Sequence, residues 1–328
     1  MTGKILFGVM KMAALPNGKE KEENIMGFHG IIPPVVTLFD EAGNLDLELN
    51  RRYLDKLISQ NIHGILLMGS SGEFSSLSME ERKLYVREMI KHIHGRVKVM
   101  VGVGHTALKE VLELTSYAED LGADGVLAVS PYYWKLSDEQ LYRFYSTVAS
   151  HTELPVFIYN IPQLTGQNLP VELIVKLAKD HSNIAGIKET VGDFGHIRQV
   201  ITEVKKVRPD FLVFSAFDEH MLPAQMIGAD GSINGSAVFA PEISVDLYES
   251  YQRGDFAEAQ RNHQLISKLM DVYTYCPTFF TSMKEAVHQR WFDTAAGHRV
   301  PFDVYPADLR ENVRNLLKTI ETKEGVQS

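Results

Sequence analysis

Lys188 closes the apolar run Ile184-Ala-Gly-Ile, and Tyr159 stands near the end of Pro155-Val-Phe-Ile-Tyr-Asn. If both runs are strands of a parallel sheet, the amine and the phenol reach the same rim, one strand apart. Alternation along an extended segment places Lys188 on the face of Ile184 and Gly186, which would be the interior of the sheet. An amine enclosed by apolar walls holds its proton less tightly, and the neutral amine is what attacks a carbonyl to form an imine. A phenol beside a protonated imine can carry a proton to and from a substrate hydroxyl. Taken alone, each residue has a plainer reading: a lysine snorkelling to water, or a buried aromatic with a satisfied hydroxyl. Their context has to decide.

Two further groups would face the same rim. The loop Gly69-Ser70-Ser71-Gly72-Glu73 offers small residues and free amides ahead of a capped helix, a setting that binds anions such as a carboxylate. It lacks the Gly-Lys-Ser/Thr ending of a nucleotide loop, and a plain turn is an equal reading of it. Ser130-Pro-Tyr-Tyr-Trp134 adds aromatic side chains, with simple packing as the alternative. Gly102-Val-Gly104 has no third glycine at dinucleotide spacing and reads as a close turn. His92 and His94 do not share a helix face, and no His-Glu-x-x-His occurs, so neither a metal nor an organic cofactor is expected.

The elements that must position these groups alternate from Gly30 onward, short β-branched runs with longer amphipathic stretches, as in successive βαβ units. Strands are expected at Ile31–Phe39, Gly64–Gly69, Val97–Gly104, Gly125–Ser130, Pro155–Asn160, Ile184–Glu189, Phe211–Ala216 and, weakly, Gly231–Gly235. Ser78 with Glu81 and Ser137 with Gln140 can form capping boxes, and Pro170 suits the first position of the fifth helix. Eight units favour a closed α/β barrel, a (β/α)8 TIM barrel, over an open sheet, and put the chemistry at the C-terminal strand ends. Residues 1–27 read as a tail, 28–240 as the barrel core, and 241–328 as the last barrel helix with further helices packed on it.

Composition narrows the partners. With 33 basic against 42 acidic residues the net charge is −9, and no basic run marks a nucleic-acid or anionic-lipid footprint. No apolar run is long enough for a bilayer. Lys4 ahead of Ile5–Met10 faintly imitates a signal peptide, but Lys11 interrupts it. The lone Cys276 excludes an internal disulfide and fits a reducing, cytoplasmic setting.

Four motifs now stand in order: Gly69-Ser-Ser-Gly-Glu73, Pro131-Tyr-Tyr133, Tyr159-Asn-Ile-Pro162 and Gly186-Ile-Lys-Glu-Thr190. In this the chain resembles the pyruvate-dependent class I aldolases, the family of dihydrodipicolinate synthase, N-acetylneuraminate lyase and 2-keto-3-deoxygluconate aldolase. The resemblance implies Lys188 as the imine-forming lysine and Tyr159 as the proton shuttle. It implies that the Ser70 and Ser71 amides, in the turn with Gly72, hold the substrate carboxylate, and that the Ser70 hydroxyl relays to Tyr159. It also implies that Ile233 lines the pyruvate pocket and that Tyr133 reaches a neighbouring subunit's site, hence a homo-oligomer, commonly a dimer of dimers. Its partners would be a small 2-oxo acid and an aldehyde.

Synthases of this family usually carry an arginine two positions after the Tyr-Asn-x-Pro proline, to grip a second carboxylate. This chain has Leu164 there. The stretches Pro131–Lys135 and Tyr159–Gln167 look most like bacterial 2-keto-3-deoxygluconate aldolases, some of which take deoxypentonates, with Thr165 and Gln167 suited to neutral hydroxyls. Asp218-Glu219 resembles the acidic pair that sialic acid lyases use for a polyol, making that lyase the second expectation and the synthase the third. A ligand-binding barrel without catalysis is the alternative of another class. A metal-dependent barrel aldolase lacks its ligands here.

Overall fold

The computed structural model describes residues 27–324, so the tail expected for residues 1–27 falls, except for Gly27, outside the described residues. Eight parallel strands form one sheet: β1 (Gly30–Ile31), β2 (Gly64–Leu67), β3 (Lys98–Gly102), β4 (Gly125–Val129), β5 (Val156–Asn160), β6 (Ile184–Glu189), β7 (Leu212–Ser215) and β8 (Gly231–Ser232). They run in the order β1-β8-β7-β6-β5-β4-β3-β2. A parallel bridge from Pro34 to Leu66 brings the two ends together and closes a TIM barrel. The first strand is shorter than its apolar run. Pro33 and Pro34 have no N–H to give, so the ladder stops at Ile31 and contact with β2 continues through the Leu66 amide on the Pro33 carbonyl and the Val35 amide on the Leu66 carbonyl.

Inside the barrel, Phe28, Phe157 and Phe214 stack edge to face, with ring centroids 5.1 and 6.1 Å apart, and Ile32, Leu66, Met100 and Leu127 complete a dry interior. Such a filled interior leaves no channel through the barrel, and in this fold substrates bind at the C-terminal rim. Both expected capping boxes are present, at Ser78/Glu81 and Ser137/Gln140. Pro170 is displaced by one position: it is the N-cap of helix Val171–Asp180, its carbonyl accepting from Leu173 and Ile174, while Pro162 opens an extra single-turn helix, Pro162–Thr165.

The phase of β6 also departs from simple alternation. Val156 pairs with Ile184 but Phe157 with Gly186, so Ala185 is an extra, bulged residue. Ile184 consequently packs outward against the helical layer, whereas Ala185 faces the interior. Gly186 takes the tight point of the bulge, where a Cβ would come within 2.5 Å of the Leu212 carbonyl oxygen. Beyond the bulge alternation resumes, and Lys188 points inward.

After β8, helices Pro241–Gln252 and Phe256–Leu269 pack together, followed by a short turn at Met270–Thr274 and helices Phe279–Trp291 and Leu309–Glu324. Among the described residues no helix is long and apolar enough to cross a membrane.

Candidate active site

Tyr159 on β5 and Lys188 on β6 are direct register partners at the C-terminal rim. The Lys188 amine donates to the phenol oxygen at 3.4 Å and lies 4.4 Å from the ring centroid. The Ser70 hydroxyl is 3.2 Å from the same phenol oxygen, so the three groups form a continuous chain. Lys188 and Tyr159 are 4% and 3% exposed, buried beneath a cavity of about 660 Å³ rather than extended into water. Its walls include Ser70, Ser71, Ile161, Leu164 and Ile233. A smaller adjoining cavity of about 330 Å³ shares Ser70 and Leu164 and adds Tyr132 and Thr165.

The turn after β2 leaves two of its amides without a partner among the described residues. The Gly72 amide is used on the Gly69 carbonyl and the Glu73 amide on that of Ser70, whereas the amides of Ser70 and Ser71 find no acceptor among the described residues. The capped helix starts only at Met79, after a 3-10 turn at Phe74–Ser76, so it is the turn's own peptide dipoles, not a helix end, that face the cavity. Glu73, in a left-handed conformation with φ 55°, sends its carboxylate inward to an ion pair with Lys284, neither side chain exposed. Burial pushes the Glu73 carboxyl up and the Lys284 amine down, each opposed by the other's charge.

Several expected residues are placed elsewhere. Gly72 lies behind the turn, its carbonyl accepting from the Thr37 hydroxyl. Asp218 is fully buried and outside the cavity wall; it accepts from Asn234 and the Ser236 amide and from the Tyr273 hydroxyl, while its neighbour Glu219 lines the cavity. Thr165 lines the smaller cavity but its hydroxyl is committed to the Ile161 and Gln167 carbonyls, and Gln167 is held by the Leu136 backbone; Gln163 is the amide on the wall of the larger cavity. Tyr133 is 85% exposed, with φ 87°, its ring against Trp134 and away from this chain's own cavity.

Sequence reasoning missed the roof. Met270, Asp271, Tyr273, Thr274 and Phe279 close over the cavity from a segment read only as packing helices. The signal available was the break in periodicity at Tyr273-Thr-Tyr-Cys-Pro-Thr278, which is polar, aromatic and carries a proline. Among the described residues the walls of both cavities hold one basic side chain, Lys188, and three carboxylates, Glu73, Glu219 and Asp271. Among the described residues no group of three His, Cys, Asp or Glu side chains is arranged to hold a metal.

Over residues 27–320 the sequence matches one known protein family. The chain belongs to the dihydrodipicolinate synthetase family. As a member it is an enzyme, a class I carbon–carbon lyase. It is 41% identical to the putative 2-dehydro-3-deoxy-D-gluconate aldolase YagE of Escherichia coli over 79% of this chain and 86% of that protein. With the probable 2-dehydro-3-deoxy-D-pentonate aldolase YjhH of the same organism it shares 40% identity over 78% of this chain and 85% of that one. The crystal structure of YagE in complex with pyruvate superposes with a TM-score of 0.85 at 38% identity, covering 90% of this chain and 99% of that one.

Proposed function

We propose that this dihydrodipicolinate synthetase family member cleaves a 2-keto-3-deoxy sugar acid, a gluconate or pentonate, to pyruvate and a hydroxyaldehyde. One observation carries the reading: among the described residues, the cavity that holds Lys188 against Tyr159 has no second basic group on its walls. A substrate with one carboxylate and a neutral hydroxylated tail can be accommodated. A second substrate carboxylate would be desolvated without a partner, facing Glu219 and Asp271. Leu164, half exposed at the mouth where the synthases' arginine is expected, cannot supply that partner. The names of YagE and YjhH support the same substrate class.

In the proposed reaction the Ser70 and Ser71 amides bind the carboxylate and Lys188 attacks the C2 ketone. Water leaves and a cationic imine remains as an electron sink. Tyr159 takes the C4 hydroxyl proton, the C3–C4 bond breaks, and its electrons enter the imine as the aldehyde departs. The enamine is protonated at C3, and hydrolysis returns pyruvate and the free amine. Ile233 packs against the pyruvyl unit, Thr165 shapes the wall, and Gly72 and Asp218 hold the turn and roof from behind. The exposed Tyr133, beside the also exposed Trp134, supports assembly into a homo-oligomer in which it meets a neighbouring subunit's site.

Glu219 on the wall favours one second reading, an N-acetylneuraminate lyase gripping a longer polyol. Comparing kcat/KM for 2-keto-3-deoxygluconate, 2-keto-3-deoxypentonates, N-acetylneuraminate, and pyruvate with aspartate semialdehyde tests these alternatives. A deoxy sugar acid is expected to lead. A win for the semialdehyde overturns the electrostatic argument.

A further inference from the structure

One pair of residues beyond Tyr159 and Lys188, the same two strands meet again on the opposite face. Asn160 and Glu189 are register partners, 1% and 0% exposed, and neither lines the cavity. The Asn160 amide nitrogen donates to the Glu189 carboxylate at 3.0 Å and to the Asn168 side chain at 2.7 Å, while its oxygen accepts from the Leu169 amide at 3.3 Å. On the backbone, the Thr190 amide donates to the Asn160 carbonyl at 2.9 Å. The Glu189 carboxylate also lies 3.4 Å from His196 on helix Phe194–Val207, whose other ring nitrogen is 3.0 Å from the Leu169 carbonyl. Three parts of the chain therefore converge on one side-chain bond just behind the reactive pair.

Stability alone does not account for this arrangement. Burial pushes the Glu189 carboxyl up against the opposing pull of His196 and Asn160, and an apolar pair of similar size would avoid that cost. Geometry does account for it. The β5–β6 ladder already contains one bulge, at Ala185, and a slip of one residue turns an inward side chain outward. A bond between side chains at the far end of the same ladder removes that freedom.

We propose that Asn160 and Glu189 are positioning residues, whose hydrogen bond fixes the register and distance at which the Tyr159 phenol meets the Lys188 amine. The proposal rests on the imine reading of Lys188 and Tyr159. Its consequence is selective: pyruvate, held by the turn after β2, still binds and still forms the imine, but proton transfer through Tyr159 slows.

Exchange of pyruvate methyl protons in D2O isolates that step without any aldehyde. Within the imine a C3 proton leaves to the Tyr159 oxygen as the phenol passes its own proton through the Ser70 hydroxyl to solvent, the C–H electron pair forms the C2–C3 double bond of the enamine with the C2–N π pair returning to nitrogen, and the reverse relay from D2O places deuterium at C3. Asn160→Leu is expected to lower the exchange rate on the order of 10- to 100-fold, the scale of a misplacement of about 1 Å. Borohydride trapping of pyruvate on Lys188 and the apparent pyruvate KM should stay near those of the parent. Glu189→Gln keeps an acceptor for Asn160 and should lose less. Exchange unchanged in folded Asn160→Leu overturns the proposal, as does exchange falling only in proportion to trapping. If that variant does not fold, Asn160→Ser is read by the same split and decides. A parent chain that neither exchanges nor traps pyruvate overturns the underlying imine reading, and the positioning role falls with it.

Discussion

The Ser70 hydroxyl and the Tyr159 phenol, 3.2 Å apart, come from opposite sides of the barrel rim, and the phenol is left between that hydroxyl and the Lys188 amine at 3.4 Å. In the proposed reaction a proton taken by Tyr159 would have an exit that does not pass through the amine. Tyr159→Phe should still form the imine yet turn over roughly 10²–10⁴-fold more slowly, the usual worth of positioned proton transfer. Ser70→Ala, which removes the relay but leaves the phenol and the Ser70 amide, should lose less. Steady-state kinetics beside borohydride trapping checks both, and undiminished turnover of Tyr159→Phe would assign the phenol to packing.

Among the described residues two lysines are buried, and one of them faces the cavity. Lys188 borders the larger space, while Lys284 is paired with Glu73 and touches neither cavity. Reduction with borohydride in the presence of pyruvate should therefore add a single adduct, mapped by peptide mass spectrometry to Lys188. An adduct at Lys284, or one that survives Lys188→Met, would contradict the assignment.

The Glu73–Lys284 pair ties the turn after β2 to helix Phe279–Trp291, whose side chains Phe279 and Met283 form part of the roof. Removing one member leaves a buried charge uncompensated, at a cost of about 3–5 kcal/mol. Lys284→Met should fall by that amount in denaturant unfolding, and Lys284→Met with Glu73→Gln should recover much of it. Equal losses in the single and double variants would show that the pair's charges are not coupled.

Near that pair, His288 and His298 are both pushed down to about 4, first by burial and next by the Lys284 charge. Each stays neutral in the folded chain and takes a proton more readily once unfolded. Their contribution is complete above about 6.5 and disappears as the pH falls from there towards about 4, on the order of 3 kcal/mol for each. The melting temperature should decline over that window, and His288→Gln should flatten the decline. A profile identical to that of the parent would mean that other groups carry the acid sensitivity.

Much of this molecule is decided locally. The apolar runs that become strands, the capping boxes at Ser78 and Ser137, and the motifs that contain Tyr159 and Lys188 depend on neighbours within a few residues, so they can be read from order and spacing. Leu164 in place of a cation is equally plain in the chain. Contacts between distant segments are not. The bulge at Ala185 follows from how β6 meets β5 and Leu212, and it reverses the face of Ile184. Asp218 is drawn away from the cavity by Asn234 and Tyr273, leaving Glu219 on the wall. The roof at Met270–Phe279 is about eighty residues from Lys188 in sequence and becomes part of its cavity only because the last helices fold back over the rim. Sequence spacing settles which face a residue takes along one element only where the ladder is regular, as it is not at Ala185. Which faces then enclose a common space depends on the closure of the barrel and on the competition of buried polar groups for partners, and these exist only in the folded chain.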